Sequence, residues 1–361
     1  MMKWLIMEAS LVSNEYRRTA GAKARDDIET ILQEKGYKPL MVCAPERGES
    51  AGLVKKITLH KKIAKCWDEA LSVVKEKDTL FIQFPAVNHT LYIGNVIKKL
   101  RARKVKVVAL IHDLEVLRLA RSTDVGMLQR WRLKKEEVSS LKYFSKIIVH
   151  NQHMLRYMNE RFSIPKENMI DLEIFDYLVT SQPIESETGD ATESYARSVI
   201  VAGNLARTKA GYVYSLPEKQ QYELYGPNYD GEDSSNIRYH GSFPPEQLPF
   251  ALKGDFGLVW DGPSAQTCEG AWGGYLQYNN PHKTSLYLAS GFPVIIWEKA
   301  ALADFVKNNH CGITVASLDE IPMAIGAIEI TEYEDLKKSA QSVSQKLKAG
   351  YYTRKALDLL D

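Results

Sequence analysis

Several signatures that would place this chain in a familiar class are missing from it. No Asp-x-Asp triplet occurs, which counts against enzymes that hold a diphosphate through a divalent metal in that way. There is no G-x-x-x-x-G-K-[ST] loop and no G-x-G-x-x-G after the first strand. ATP hydrolysis and dinucleotide redox chemistry therefore both lose support.

Net charge, cysteine pairs and long apolar runs are also scarce. The formal net charge is only +2, so no global positive field points to nucleic acid as a partner. The four cysteines are scattered, without a CxxC pair or zinc-like spacing, which fits a reducing cytoplasm. No uninterrupted apolar run approaches the length of a membrane span. We expect a cytoplasmic protein whose membrane contact, if any, is peripheral.

What the sequence does contain is a strand and helix alternation from end to end. This pattern is typical of βαβ units with parallel sheets, and 361 residues suffice for two such domains. We therefore predict an α/β protein of two Rossmann-like domains that face each other across a cleft. The predicted first domain covers 1–179, and a polar acidic linker follows at 180–197. The second domain covers 198–335, and a helical segment at 336–361 returns to the first domain.

Short apolar runs rich in β-branched residues mark the candidate strands. Those of the first half are Thr79–Ile82, Val105–Ile111 and Lys146–Val149. Those of the second half are Ser198–Ala202, Tyr222–Tyr225, Phe256–Trp260 and Phe292–Ile296.

The most informative stretch lies in the second half, where a long loop rich in glycine and aromatics covers 261–280. A loop of this length in a compact α/β domain is usually functional. It leads into a predicted helix with Asn280 as N-cap and Pro281 in the first position. Lys283 in that first turn is disfavoured by the helix dipole unless an anion is nearby, so we predict a phosphate site there. The alternative is a solvated lysine.

Two further turns of the second half follow predicted strands. Gly203 and Asn204 lie where a ligand can approach the backbone, and Arg207 could hold phosphate with its planar fork. An ordinary turn with an exposed arginine explains these residues equally well. Tyr225 also ends a strand and is interpreted either as a stacking partner for uracil or as core packing.

In the first half, His112, Asp113 and Glu115 lie where a buried strand emerges. Ligands of parallel sheets bind outside the carboxyl ends of the strands, so one of these groups could act as a general base. If the strand continues, Asp113 and Glu115 share one side. A hydrogen-bonded turn with a helix-capping acid is the alternative. Thr19 is either a helix N-cap or a ligand-facing hydroxyl.

Two basic runs, Arg101–Lys104 and Arg130–Lys135, read as solvated helix faces. The second run contains Trp131, so an anionic membrane or a lipid-diphosphate acceptor is an alternative partner for it.

Taken together, several segments resemble bacterial β-1,6-galactofuranosyltransferases. They are similar as well to the glucosyltransferase that extends O-GlcNAc on streptococcal serine-rich adhesins. The likeness covers nearly the whole chain and includes the strand-terminal His112-Asp113 and the Gly203-Asn204 turn. It is carried chiefly by Asp255–Trp260, Tyr278–Lys283, Leu288–Ile295 and Tyr352–Arg354.

This resemblance implies a GT-B fold, a UDP-sugar donor, no metal or other cofactor, and a C-terminal segment that crosses back to the first domain. It also implies homo-oligomers. The positions that it assigns to donor binding are Lys283, Arg207, Tyr225 and Thr19, to which we add Gly203, Asn204, Asn280 and His282.

We therefore expect transfer of a hexosyl unit, by preference galactofuranose from UDP-galactofuranose, to a hydroxyl of a glycan or lipid-linked glycan with inversion. Asp113 or Glu115, with His112 beside them, would supply the base. UDP-glucose is the alternative donor. A UDP-sugar epimerase and a non-catalytic nucleotide-sugar-binding protein are the alternatives from other classes.

Overall fold

The computed structural model describes residues 1–8, 20–45, 53–87, 90–120, 125–179 and 195–360. The chain divides into two compact units. The first consists of Met1–Leu172 together with Thr353–Asp361, and the second of Glu173–Tyr352. Each unit contains one six-stranded sheet.

The first unit is built on a parallel sheet in the order β2-β1-β3-β4-β5-β6. Its strands are β1 (Lys3–Glu8), β2 (Lys38–Val42), β3 (Thr79–Phe84), β4 (Lys106–Ile111), β5 (Lys146–Val149) and β6 (Met169–Asp171). In β4 every side chain from Val107 to Ile111 is 0% exposed. Parallel strands are covered on both faces, which explains why a continuous apolar run, and not an alternating one, predicts this strand correctly.

In the described part of Met1–Leu172, the α-helices are α1 (Ala20–Glu34), α2 (Leu53–Ala70), α3 (Ile93–Ala102), α4 (Glu115–Arg118), α5 (Met127–Leu133), α6 (Ser139–Leu141) and α7 (Gln152–Phe162). A π-helical turn, Lys134–Val138, joins α5 to α6. Helix α7 begins where the Asn151 side chain accepts hydrogen bonds from the backbone N–H groups of His153 and Met154, at 2.9 and 3.0 Å. Such a cap satisfies donors that have no partner within the helix.

The second unit repeats the parallel arrangement in the order β12-β11-β10-β7-β8-β9. Its strands are β7 (Val199–Ala202), β8 (Tyr222–Tyr225), β9 (Ile237–Tyr239), β10 (Phe256–Val259), β11 (Val294–Trp297) and β12 (Gly312–Val315). The strand predictions for this half are confirmed to within a few residues at each end.

The helices of the second unit are α8 (Arg207–Ala210), α9 (Leu248–Ala251), α10 (Gly270–Tyr275), α11 (His282–Ala289), α12 (Ala303–Asn308), α13 (Ile321–Gly326) and α14 (Ile330–Lys348), and α15 (Tyr351–Asp358) crosses the boundary between the units. In the described part of the chain, none of the helices is long and apolar enough to cross a membrane.

The start of the second unit lies earlier than the predicted linker. Asn280 Nδ2 donates to the Glu173 carbonyl at 3.1 Å, and Ser285 Oγ donates to the Phe175 carbonyl at 2.6 Å. These bonds tie the segment after Leu172 to the start of α11, so it belongs to the second unit. The sequence placed it in the first. Of the predicted linker, 180–194 lies outside the described residues.

The C-terminal segment likewise divides at a different residue from the predicted 336. Helix α14 belongs to the second unit, where Ser344 Oγ donates to the Ala289 carbonyl at 2.6 Å. The chain joins the first unit only from Thr353 onward. There Asp358 pairs with Lys35 at 2.6 Å. The apolar side of α14 packs into the hydrophobic core of the second unit, and the helix therefore belongs to that unit.

Candidate active site

The strand order of the second sheet changes direction between β7 and β10. From β7 the chain builds outward through β8 and β9 and then returns to place β10 on the other side of β7. The connections that leave these two neighbouring strands therefore diverge. In open α/β sheets, ligands bind in the crevice that such a divergence leaves at the carboxyl ends. Gly203 and Asn204 follow β7 there, and Trp260 and Asp261 follow β10.

Lys283 points into the end of β10. Its ammonium donates to the Trp260 carbonyl and to Asp261 Oδ1, both at 2.9 Å. The Lys283 and Asp261 side chains are 15% and 10% exposed. An ammonium carries three N–H donors, and these two bonds use two of them. The sequence predicted an anion beside Lys283. In this structure that anion is the Asp261 carboxylate.

Helix α11 begins one residue later than the sequence indicated. Pro281 is the N-cap, with φ −65° and ψ 126°, and among the described residues no side chain caps this end. Asn280, predicted as the cap, is 4% exposed and donates instead to the Glu173 carbonyl. The prediction was wrong because Asn280 serves a tertiary contact that sequence spacing does not reveal. A helix N-terminus favours an anionic ligand through its N–H groups and its dipole.

His282 is held by aromatic neighbours. Its ring stacks on Tyr177 with centroids 5.0 Å apart, and its edge meets Phe175 at 6.3 Å. These contacts fix the first turn of α11 against the segment that opens the second unit. His282 therefore has a packing role in this structure, and its predicted contact with the donor stays a prediction.

The loop predicted over 261–280 contains a short helix, α10, in spite of its glycines. A Cβ atom on Gly273 would lie 2.5 Å from the Asp261 carbonyl oxygen. Only glycine permits the backbone of α10 to approach this closely, so tertiary packing overrides the poor helix propensity of the segment. Nearby, Lys209 lies over the Trp272 ring at 4.7 Å. The loop thus folds back over the residue that pairs with Lys283.

The turns after β7 and β8 are packed backbone to backbone. Gly226 has φ 137°, and a Cβ there would lie 1.8 Å from the Gly203 carbonyl oxygen. Gly203 itself has φ 142°, and nothing lies within 4 Å of the position that its Cβ would take. One glycine is therefore required by close packing and the other borders open space, as expected where a ligand approaches the main chain.

Asn204 and Arg207 have partners within the protein. Asn204 Oδ1 accepts from the backbone N–H of Ala206 at 3.0 Å and so prepares the start of α8. The Arg207 side chain is 59% exposed, pairs with Asp230 at 3.1 Å and lies over the Tyr214 ring at 3.7 Å. An exposed ion pair of this kind contributes little free energy, so Asp230 would compete only weakly with a phosphate for the guanidinium.

Tyr225 cannot stack on a nucleobase in this structure. The residue is 1% exposed, its ring stacks on His240 at 4.5 Å, and its hydroxyl accepts from the Lys253 N–H at 3.0 Å. Burial raises the pKa of its hydroxyl to about 12. The interpretation as a uracil platform was wrong, and core packing, the alternative, is what the structure has.

In the first unit, the chain turns as soon as β4 ends. His112 Nε2 lies 2.6 Å from Gln83 Oε1, while the Gln83 amide nitrogen donates to Glu29 Oε1 at 3.1 Å. Gln83 Oε1 is therefore an acceptor, so the neutral His112 ring carries its hydrogen on Nε2 and could take a proton only at Nδ1. Asp113, the next residue, is exposed at the carboxyl edge of the sheet.

Glu115 does not share an extended strand with Asp113, because it already begins α4. Its carboxylate pairs with Arg118 at 2.8 Å and lies 4.0 Å from Arg132. The buried Glu137 carboxylate accepts from the backbone N–H of Glu115 at 3.1 Å and also caps the following residue. Burial raises the pKa of Glu137 to about 8, although these N–H groups favour its ionised form. Glu115 thus has two cationic neighbours.

The edge beside His112 also contains a fully buried histidine. His150 is 1% exposed, and its Nε2 donates to the Ile111 carbonyl at 3.1 Å. Burial lowers the pKa of His150 from 6.5 to about 4. Folding therefore favours the neutral ring, and stability from this group is present above pH 6.5 and lost as the pH falls toward 4.

We expect the free energy of unfolding of the first unit to fall by up to about 3 kcal/mol between pH 7 and pH 4 because of His150. His150→Gln keeps a donor but cannot be protonated, so it should lack this part of the pH dependence. Urea unfolding at a series of pH values measures the effect, with the half-buried His153→Gln as control. An identical pH slope in His150→Gln and the unsubstituted protein would contradict the assignment.

Sequence reasoning missed Asp261 and Gln83. Asp261 follows β10 directly, so an acid at a strand end was a usable signal. Gln83 is 4% exposed inside β3, and a polar residue in an apolar strand was the signal there. Thr19, a predicted donor contact, lies outside the described residues. Within the described ranges, no three His, Cys, Asp or Glu side chains form a cluster suited to a metal ion.

Solved structures share this fold over the whole chain. A sucrose-phosphate synthase from Thermosynechococcus elongatus superposes with a TM-score of 0.62 at 12% identity, covering 99% of this chain and 98% of that one. WaaG, a glycosyltransferase of lipopolysaccharide biosynthesis, gives a TM-score of 0.58 at 12% identity, covering 99% of each chain. Two parallel α/β units with a site at the switch point of the second are the arrangement of GT-B glycosyltransferases, and the predicted fold class is confirmed.

The chain belongs to the glucosyltransferase 3-like family. The model of that family's N-terminal domain matches residues 9–174, and the model of its C-terminal domain matches residues 199–359. The protein is therefore a glycosyltransferase. This family membership favours a glycosyltransferase over the two alternatives from other classes, a UDP-sugar epimerase and a non-catalytic nucleotide-sugar-binding protein.

Two relatives differ in the sugar that their names give. The β-1,6-galactofuranosyltransferase WbbI of Escherichia coli K12 is 36% identical over 350 residues, covering 96% of this chain and 95% of WbbI. Glucosyltransferase 3 of Streptococcus gordonii is 24% identical over 304 residues, covering 82% of this chain and 83% of that protein. The resemblance to both groups is confirmed.

Proposed function

We propose that this glycosyltransferase moves galactofuranose from UDP-galactofuranose to a hydroxyl of a glycan acceptor, with inversion and without a metal ion. Support for the donor comes from the higher identity, over more of the chain, to the galactofuranosyltransferase than to the glucosyltransferase. Support for the chemistry comes from one observation, the Lys283 ammonium held at the end of β10 beside an uncapped helix.

In the proposed step, the acceptor oxygen attacks the anomeric carbon from the face opposite to UDP. The bond between that carbon and the diphosphate oxygen breaks, and the electron pair leaves with UDP. Negative charge grows on the diphosphate as the bond lengthens. The Lys283 ammonium and the N-terminal N–H groups of α11 would bind that charge, and donors that are already held in place need no reorganisation during the reaction.

The acceptor hydroxyl must also lose a proton. We assign its removal to the Asp113 carboxylate, which is exposed at the carboxyl edge of the first sheet. Glu115 is a less suitable base because its carboxylate is already paired with Arg118 at 2.8 Å and lies 4.0 Å from Arg132. His112 donates from Nε2 to Gln83 and so positions the turn.

A thermal-shift screen over UDP, GDP, CDP and TDP sugars tests the proposed donor. A ligand at about one hundred times its Kd stabilises the folded state by about 2.7 kcal/mol, which is about 5–10 °C for a unit of this size. We expect such a shift with UDP and UDP-galactofuranose, and the same shift in the presence of EDTA. A shift that EDTA abolishes would contradict metal independence, and a shift confined to another nucleotide would contradict the donor class.

UDP-glucose is the second candidate donor, favoured by the description of the family and by the streptococcal relatives. Competition between UDP-galactofuranose and UDP-glucose in one transfer reaction separates the two candidates. We expect galactofuranose in the product at equal donor concentrations. Product that contains glucose alone would replace the proposed sugar and leave the proposed chemistry unchanged.

A further inference from the structure

Helix α5 in the first unit exposes large apolar side chains. Met127, Leu128 and Trp131 are 87%, 68% and 57% exposed. They lie within one and a half turns of helix, so their side chains emerge close together. Isolated exposed apolar residues are ordinary on a protein surface, but a group of three on one short helix calls for an explanation.

The same helix and the turn that follows it carry an unbalanced charge. Arg130, Lys134 and Lys135 are exposed, whereas the neighbouring Glu136 and Glu137 are only 2% and 4% exposed. The π-helical turn from Lys134 to Val138 directs consecutive acids inward. The surface formed by Met127, Leu128, Arg130, Trp131, Lys134 and Lys135, hereafter the α5 surface, is thus apolar and basic, with the adjacent acids shielded from solvent.

An apolar cavity of about 270 Å³ opens beside this surface. Leu119, Leu133 and Phe162 contribute to its lining, and Arg130 and Lys134 also line it. Basic groups next to a hydrophobic recess match the two parts of a phospholipid, an anionic phosphate and an apolar chain.

We propose that the α5 surface binds the protein to an anionic phospholipid membrane. Tryptophan favours the level of the lipid head groups, and a surface helix with apolar and basic residues lies in the plane of the membrane interface. Each lysine or arginine close to an anionic leaflet adds an attraction that salt screens. A second copy of this chain would meet the same positive charge on itself, which is unfavourable. An anionic lipid has the negative charge that complements the α5 surface, so the membrane is the favoured partner.

Sedimentation with vesicles tests this proposal on the full chain. We expect binding to vesicles of equal parts phosphatidylcholine and phosphatidylglycerol, weak binding to phosphatidylcholine alone, and release at high salt. The charge variant Lys134→Gln/Lys135→Gln should weaken binding about 25-fold, because the loss of each lysine should weaken it about five-fold. The apolar variant Leu128→Ala/Trp131→Ala should weaken binding at least as much.

Matched controls come from exposed positions of the second unit. Lys338→Gln/Lys348→Gln removes the same charge, and Met323→Ala removes an apolar side chain that is 75% exposed. These variants should bind vesicles like the unsubstituted protein. Equal losses in the controls and in the α5 variants, or equal binding to both kinds of vesicle, would overturn the proposal.

Light scattering addresses the competing occupant, a second copy of this chain. We expect Leu128→Ala/Trp131→Ala to leave the molar mass in solution unchanged. A change of oligomeric state in that variant, together with no vesicle binding by the unsubstituted protein, would assign the α5 surface to self-association. Because these side chains are exposed, the variants should keep the thermal melting temperature of the parent, and a melting curve checks this.

Discussion

Replacing Lys283 by alanine is expected to lower the rate of transfer by about 10²–10³-fold, the cost of removing one fixed donor from a developing negative charge. UDP affinity should fall as well, because the same ammonium would hold the diphosphate before reaction. Initial rates with saturating acceptor and calorimetric titration with UDP measure the two effects. Full rate and full affinity in a folded Lys283→Ala protein would contradict the donor site.

The loss of Lys283 has a second effect that must be separated from the first. It leaves the buried Asp261 carboxylate without its cation, and breaking a buried pair costs about 3–5 kcal/mol of stability. Lys283→Met/Asp261→Asn removes both charges, so we expect it to recover stability but neither UDP affinity nor rate. The exposed Lys253→Ala controls for a lost positive charge and should behave like the unsubstituted enzyme.

Asp113→Asn is expected to lower the rate of transfer by about 10²–10⁴-fold, the usual contribution of a positioned general base. The asparagine has nearly the same shape but cannot take the acceptor proton. UDP affinity should stay unchanged, since no charge near the diphosphate is altered.

Glu115→Gln is the matched comparison for Asp113→Asn. We expect a smaller loss of rate, because Glu115 is engaged by Arg118 and Arg132 and its replacement acts through the position of α4. A full rate in Asp113→Asn together with a large loss of rate in Glu115→Gln would transfer the role of base to Glu115. Each variant needs a melting curve, so that a folding defect is not mistaken for lost chemistry.

The strands could be predicted well from the sequence because their signal is local. The run Val105–Ile111 is apolar at nearly every position, and β4 occupies Lys106–Ile111 with both faces covered. The boundaries between the units could not be predicted. They depend on hydrogen bonds such as those from Asn280 to Glu173 and from Ser285 to Phe175, whose partners are more than a hundred residues apart.

For the candidate site, sequence position identified the strand ends but not the orientation of side chains. Lys283 was singled out from its conflict with the helix dipole, and the structure places its ammonium against an anion. Tyr225 was misjudged because its stacking partner, His240, follows fifteen residues later and comes into contact only when β8 and β9 pair. Asp261 was overlooked although it follows a strand directly, because the sequence does not show that it pairs with Lys283.

The order of the strands in the second unit has a consequence for the history of the family. The residues that we assign to the diphosphate lie at strand ends and in the connections between strands, and not within the β-strands themselves. Substitutions in those connections can alter the choice of donor while the scaffold stays intact. A single ancestral architecture can in this way give rise to enzymes for furanose and for pyranose sugars.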